Sequence, residues 1–203
     1  MLSIQEIINC GSRLRTAGLI VATQGNISLR REDGSILITR SGADKGQLQR
    51  QDVLTLSAAG DLYSRTGSPS SETQLHLSAY RRLPDIGAVI HAHPPCATSF
   101  AASGRPLPQG VLAEIEDELG EIPLLPWALP GSPDLAATLE RVVTGQCAFL
   151  LANHGALTVG VDLEQATRRM ELLEFYARVV LGAGQLGGPT QLPVKINRRQ
   201  ESK

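Results

Sequence analysis

The chain has 203 residues, 42% hydrophobic and 19% charged, which suits one compact domain and argues against a disordered or fibrous chain. A formal charge of -1 supplies no electrostatic case for nucleic acid or an anionic membrane surface. The three cysteines, Cys10, Cys96 and Cys147, form neither a disulfide framework nor a Cys-x-x-Cys pair, the opening MLSIQEIINC lacks a signal-peptide pattern, and no apolar run approaches about 18–20 residues; a cytoplasmic protein with no membrane span is expected.

In chain order, Ser3 and Glu6 stand as a capping box and predict a first helix over residues 4–17, closed by Gly18. GNISLRRED and GSILITRSG read as two strands joined at Asp33-Gly34, a strong hairpin signal. DVLTLSAAGDLYS repeats the pattern around Gly60-Asp61. Ser71 and Gln74, in N-cap and N3 relation, predict a helix from Glu72 to Arg82. GAVIHAHP is a buried strand, and PCATSFAASG a short helix after it. Residues 105–131, rich in proline and glycine, read as loop and short strand pieces. Ser132-Pro133 caps a helix to Thr144. CAFLLANHGALTVG is a strand, a turn at Asn153-His154-Gly155, and a second strand. Asp162 and Gln165 open a long helix through Gly182. The segment from Gly187, with Lys195, Arg198, Arg199 and Lys203, reads as a polar tail. Early hairpins with later interleaved helices predict an α/β or α+β single domain on a mixed sheet.

The chemistry starts at His91 and His93. Strand alternation puts both imidazoles on one face, with Cα atoms about 6–7 Å apart. At that separation they can converge on one cation at nitrogen–metal distances of about 2.0–2.1 Å. The dipeptide alone supports a metal pair and a metal-free pair equally. His154 follows another apolar strand, in a turn of the kind that carries catalytic groups. Three imidazoles with an open position form the donor set of a catalytic zinc, whereas a structural zinc is closed by four protein ligands, usually with cysteine. Glu72, opening its helix, reads in isolation as a carboxylate favoured by the helix dipole; its functional alternative is a general base or an exchangeable metal ligand. His76 shares the helix face of Glu72 and reads as a satisfied histidine under the sheet, not a ligand.

Ser70 and Ser71 stand at a helix start, where N–H groups and hydroxyls bind anions. TQGNIS and TRSG add two small-residue turns with Asn26, Ser28, Ser41 and Gly42, each by itself only turn chemistry. Together they suggest a phosphate cradle without a P-loop, since no Gly-x-x-x-x-Gly-Lys-Ser/Thr occurs. A Schiff-base lysine would need a desolvated pocket, and the one interior candidate, Lys45, lies in the polar loop SGADKGQ.

GNIS, TRSG, PSSET, HAH and ANHG, in this order and at these distances, resemble the class II aldolase and adducin head family over roughly residues 5–180. The resemblance implies an α/β fold, a single three-layer α/β/α domain around a central mixed, largely antiparallel sheet, over residues 1–186, with 187–203 as the tail. It implies one divalent metal per subunit, zinc, held by His91, His93 and His154. Glu72 would complete the coordination in the empty enzyme and act as acid/base once substrate displaces it. Gly25, Asn26, Ser41, Gly42, Ser70 and Ser71 match the positions that hold substrate phosphate. A homotetramer with interfacial sites is implied as well.

The activity so implied is a metal-dependent aldolase cleaving a short ketose 1-phosphate, such as fuculose phosphate, to dihydroxyacetone phosphate and an aldehyde. Within the same family the alternatives are a methylthioribulose-1-phosphate dehydratase and a pentulose-phosphate 4-epimerase. A non-catalytic adducin-like binding head is a fourth reading, but it need not keep three histidines and the glutamate. Two features depart from the aldolase pattern: the C-terminal tail does not match the tail that covers the site in fuculose phosphate aldolases, and the proton donor differs. Fuculose phosphate aldolases carry a tyrosine proton donor about twenty residues after the histidine pair, and Leu112 is the closest match here, with Glu114, Glu116 and Glu118 nearby. An apolar Leu112 predicts a substrate with a deoxy or alkyl end.

Overall fold

A computed structural model describes residues 2–63 and 67–193. Ser64, at the end of the predicted second hairpin, lies outside the described residues, as do Lys195, Arg198, Arg199 and Lys203 of the predicted tail.

Helix α1 (Leu2–Thr16) begins before Ser3. Leu2 is already helical, so Ser3 is not the non-helical residue that a cap requires, and the predicted capping box does not form the helix start. Strands β1 (Asn26–Arg30) and β2 (Ile36–Thr39) pair antiparallel around Asp33-Gly34, as expected. Gly34 has φ +80° in this turn, and Asp33 accepts a bond from Ser35 N at 2.9 Å. Strand β3 (Val53–Leu56) pairs with β2. The predicted hairpin around Gly60-Asp61 is reduced to a bridge between Leu56 and Leu62.

Helix α2 (Thr73–Arg82) starts one residue later than expected, with Glu72 at its N-cap and not Ser71. Ser70 takes the bonds there. Its hydroxyl accepts from Glu72 N at 3.3 Å, and its carbonyl accepts from Thr73 N at 3.1 Å and Thr73 Oγ1 at 2.6 Å. The Glu72 carboxylate makes no capping bond and is left for other use.

Strand β4 (Ala88–Ala92) is buried along its whole length and is followed by α3 (Pro95–Ala102). A short helix, α4 (Ala113–Glu118), stands where loop and strand pieces were expected. It is anchored by buried Ile115 and Leu119, an i, i+4 pair too brief to show periodicity in sequence. Strand β5 (Leu124–Leu125), α5 (Pro133–Val142), β6 (Ala148–Leu151), β7 (Gly155–Gly160) and α6 (Leu163–Gln185) complete the order. Ser132 and Asp162 cap α5 and α6, accepting from Leu135 N and Gln165 N. Helix α5 stops two residues short of Thr144, and α6 runs past Gly182 to Gln185.

Among the described residues seven strands lie in the order β3-β2-β1-β4-β7-β6-β5, antiparallel throughout except for the parallel β5–β6 pair. The histidine-bearing β4 is the middle strand. Helices α1, α3 and α6 pack together on one face, where Thr158 of β7 donates to Ala166 O of α6 at 2.9 Å. Helices α2 and α5 pack against each other on the opposite face, where Ser28 of β1 bonds His76 and Tyr80 of α2. This is the three-layer α/β/α arrangement with a mixed, largely antiparallel sheet. Among the described residues no helix is long and apolar enough to cross a membrane, and Cys10, Cys96 and Cys147 form no disulfide.

One buried charge ties α3 to α6. Glu174 is 3% exposed, and its carboxylate accepts from Cys96 N at 2.9 Å and Ala97 N at 3.0 Å, with Arg178 at 3.5 Å. These amides are the unsatisfied donors of the first turn of α3. Because α3 begins two residues after His93, the contact also fixes where the chain goes on leaving the histidine pair. Bonds to a charged acceptor contribute about 1.5–3 kcal/mol, so Glu174→Ala is expected to lower unfolding stability by about that amount in urea titrations, and Glu174→Gln by less. A change below about 0.5 kcal/mol, as for ordinary surface substitutions, would contradict the assignment.

Candidate metal and sugar-phosphate site

His91 lies within β4, His93 directly after it, and His154 in the turn between β6 and β7. Since β4 and β7 are neighbours, with His91 opposite Leu157 and Ala92 opposite Ala156, that turn meets the end of β4. Asn153 supplies the turn with φ +55°, a conformation that asparagine tolerates better than most residues. The ring centroids of the three histidines are 4.6–5.2 Å apart. Among the described residues these three form a cluster whose ligand atoms all lie within 4.8 Å of one another.

Glu72 reaches this cluster from the start of α2. Its Oε2 is 3.2 Å from His91 Nε2, and its Oε1 is 3.2 Å from His154 Nε2. His93 Nε2 is 3.0 Å from His91 Nε2. The carboxylate is 6% exposed, His91 is 1% exposed, and His93 and His154 are only partly buried, so the open side of the site lies at the latter two rings.

The tautomer of His91 decides what the cluster can hold. Its Nδ1 lies 2.9 Å from Ala156 O, and a carbonyl can only accept, so the proton is on Nδ1 and Nε2 carries a bare lone pair. Burial, with the neighbouring His154 and His93, keeps His91 well below the ordinary histidine pKa. Burial also lowers His93 and His154. The neutral Nε2 of His91 and the Oε2 of Glu72 are therefore two acceptors in contact, an arrangement that a cation stabilises. Glu72 Oε1 and His154 Nδ1 are both buried without a hydrogen-bond partner. Neutral imidazoles, a carboxylate and a backbone-fixed tautomer fit a divalent metal of the zinc type.

Behind the cluster, Asn26 is the first residue of β1 and pairs with His91 across the sheet. Its Nδ2 donates to Glu72 Oε2 at 2.8 Å, and its Oδ1 accepts from His76 Nε2. His76 is fully buried, its pKa pushed down to about 3 chiefly by that burial. It is the satisfied histidine that the sequence suggested.

The three small-residue turns adjoin at this corner. Ile27 N donates to Thr39 Oγ1 at 3.2 Å, Ser70 N to Thr39 O at 3.2 Å, and Ser41 N to Ser68 O at 2.9 Å. Ser41, Gly42 and Ser71 are exposed, whereas Asn26 and Ser70 are buried and already bonded within the protein. Gly25 has φ +72°, and a Cβ there would meet His91 O at 2.7 Å, so only glycine lets this turn lie against β4.

Other residues differ from expectation or bear on it. Lys45, expected in a polar loop, is 3% exposed, and its Nζ donates to Thr23 O at 2.6 Å and Ala43 O at 2.8 Å. It joins the two turns that flank β1 and β2; burial lowers its pKa. Leu112 is the N-cap of α4 and packs partly buried against the core. Glu118 pairs with Arg168 at 2.9 Å, Glu116 accepts from Gly110 N, and Glu114 is exposed; none of these three glutamates is in the histidine cluster. Tyr80 was not marked by sequence as a partner of the site; Ser28, expected in an anion-binding turn, is instead fully buried in β1 and bonds His76 and Tyr80, the latter at 2.8 Å.

Gly155 abuts the cluster. A Cβ there would lie 2.6 Å from both Ala92 O and His93 Cδ2, so a methyl group must push both the β4 carbonyl and the His93 ring aside. Displacing a supporting contact of a metal ligand typically costs 10–100-fold in affinity, about tenfold being expected here. Gly155→Ala is thus expected to bind zinc about tenfold more weakly in chelator competition. Unchanged affinity in the folded variant would show that His93 is not held by this contact.

Comparison with known proteins bears on this geometry. The sequence profile of the Class II Aldolase and Adducin N-terminal domain family matches residues 5–181. The 5-deoxy-D-ribulose 1-phosphate aldolase of Bacillus thuringiensis serovar kurstaki is 32% identical over 190 residues, covering 93% of this chain and 89% of that protein. The methylthioribulose-1-phosphate dehydratase of Methylococcus capsulatus is 37% identical over 183 residues, covering 84% and 88%. Other relatives carry the name 3-oxo-tetronate 4-phosphate decarboxylase. A solved structure of L-fuculose 1-phosphate aldolase superposes with a TM-score of 0.88 at 32% identity, covering 94% of this chain and 90% of that one.

Proposed function

The chain belongs to the class II aldolase and adducin N-terminal domain family, a family whose matched relatives are lyases, and on that premise we propose that it cleaves a short ketose 1-phosphate to dihydroxyacetone phosphate and an aldehyde. The observation that carries the reading is the contact of bare His91 Nε2 with Glu72 Oε2 at 3.2 Å, beside three adjoining turns suited to an anion. His91, His93 and His154, with Glu72, would hold one divalent metal, zinc. Gly25, Asn26, Ser41, Gly42, Ser70 and Ser71 would hold the substrate phosphate. The same reading makes residues 1–186 the catalytic domain and residues 187–203 a tail, and makes the active form a cytoplasmic homotetramer with its sites at subunit interfaces.

In the cleavage Glu72 would take the C4 hydroxyl proton, the C3–C4 bond breaks, and the three-carbon half takes the bonding electrons as an enediolate. A divalent ion in the site would supply Lewis-acid stabilisation of that negative charge. Glu72 would return the proton at C3, a carboxylate acting as general acid/base once substrate frees it from the histidines. The phosphate cradle would anchor the substrate away from the reacting carbons, so that binding energy is used to orient them. The aldehyde half would face Leu112, and an apolar side chain there favours a deoxy or alkyl end. The names of the 5-deoxyribulose and methylthioribulose phosphate relatives agree with that preference.

Two outcomes of one assay separate this reading from its neighbours in the family. Zinc-loaded protein is incubated with a panel of ketose 1-phosphates, and dihydroxyacetone phosphate is measured. Activity lost to a chelator and restored by zinc is expected. The deoxy substrate should exceed its hydroxylated counterpart by about tenfold in kcat/KM, a partial preference of the size apolar pockets give. Loss of water without carbon–carbon cleavage would identify a dehydratase and overturn the aldolase reading. Glu72→Gln is expected to fold, to keep most of its zinc, and to lose about 10²–10⁴-fold in kcat. Unchanged turnover would leave Glu72 as a helix-end charge.

A further inference from the structure

Glu72 is held from behind by a buried row of polar side chains that permits one direction of hydrogen bonding. An ionised carboxylate only accepts, so Asn26 must present Nδ2 to Glu72 Oε2, at 2.8 Å. Asn26 Oδ1 then faces His76 Nε2, which must carry the ring proton. His76 Nδ1 is thereby an acceptor and takes the Ser28 hydroxyl at 2.6 Å. The Tyr80 hydroxyl lies 2.8 Å from Ser28 Oγ and supplies the last donor. Asn26 is 4%, Ser28 0%, His76 0% and Tyr80 5% exposed, so bulk water does not replace any member.

We propose that His76 is a positioning residue for Glu72, acting through Asn26. By keeping its proton on Nε2, it fixes which end of the Asn26 amide meets the carboxylate. Glu72 is then anchored by Oε2, which also meets His91, and presents Oε1, the oxygen without a hydrogen bond, to His154. Ser28, donating to Nδ1, completes that tautomer. With the proton on Nδ1, the Asn26 amide would turn over and its oxygen would meet Glu72 Oε2, acceptor against acceptor. The inference rests on the reading of Glu72 as metal ligand and acid/base.

The first test needs no variant and no substrate. Nitrogen-15 NMR of the wild-type protein should find His76 protonated on Nε2 and bare on Nδ1; the opposite tautomer overturns the proposal. The second is a cycle of zinc affinities, measured with the metal alone by chelator competition. His76→Leu should bind zinc about 10–100-fold more weakly, and His76→Gln, which keeps a donor for Asn26, should recover most of that loss. In a Glu72→Ala background the effect of His76→Leu should shrink to less than about twofold, because coupled sites are not additive. Equal losses in both backgrounds would mean general damage and overturn the proposal. If His76→Leu does not fold, Ser28→Ala replaces it, with the same direction expected. Unchanged zinc affinity in Glu72→Ala alone would count against Glu72 as ligand, whereas the tautomer bears on His76 alone.

Discussion

A bare imidazole nitrogen and a carboxylate oxygen meet at 3.2 Å in a buried corner of this protein. Neither can donate while His91 keeps its proton on Nδ1 for Ala156 O. Two acceptors in contact cost free energy unless a cation lies between or beside them, and His93 and His154 complete a donor set for one. The rest of the site can be understood as what is needed to hold these groups there.

The middle position of β4 in the sheet brings the groups together. From it His91 meets Asn26 on β1 on one side and Leu157 on β7 on the other, so residues far apart in sequence become neighbours. Helix α2 lies across β1 on the same face. A helix advances about 6 Å in four residues, and a strand about 6.6 Å in two. Glu72, His76 and Tyr80 on the helix therefore interleave with Asn26 and Ser28 on the strand, each bonding the next. Matching of the two repeats is what lets a polar row fill a core position with each side chain bonded to the next.

Much of this was legible in the sequence. His91, His93 and His154 needed only strand alternation and a turn after an apolar run. The layer order and the largely antiparallel sheet followed from the resemblance, whereas alternation and caps alone left α/β and α+β undivided. The burial of Lys45 is not legible because its neighbours are polar; its ammonium is satisfied by backbone carbonyls of two turns, a long-range fact with no local signature. Helix α4 was missed because one i, i+4 pair is indistinguishable from chance. The polar row had a signal, Glu72, His76 and Tyr80 at four-residue spacing against Asn26 and Ser28 at two, but only the sheet order shows that these two segments face each other.

The account stands on one donor set, and X-ray absorption spectroscopy of the zinc-loaded protein reads that set directly. It should show a single zinc with three imidazole nitrogens at about 2.0–2.1 Å and a carboxylate oxygen at about 2.0–2.2 Å, with no second metal. A sulfur scatterer, or fewer than three imidazoles, would contradict the account.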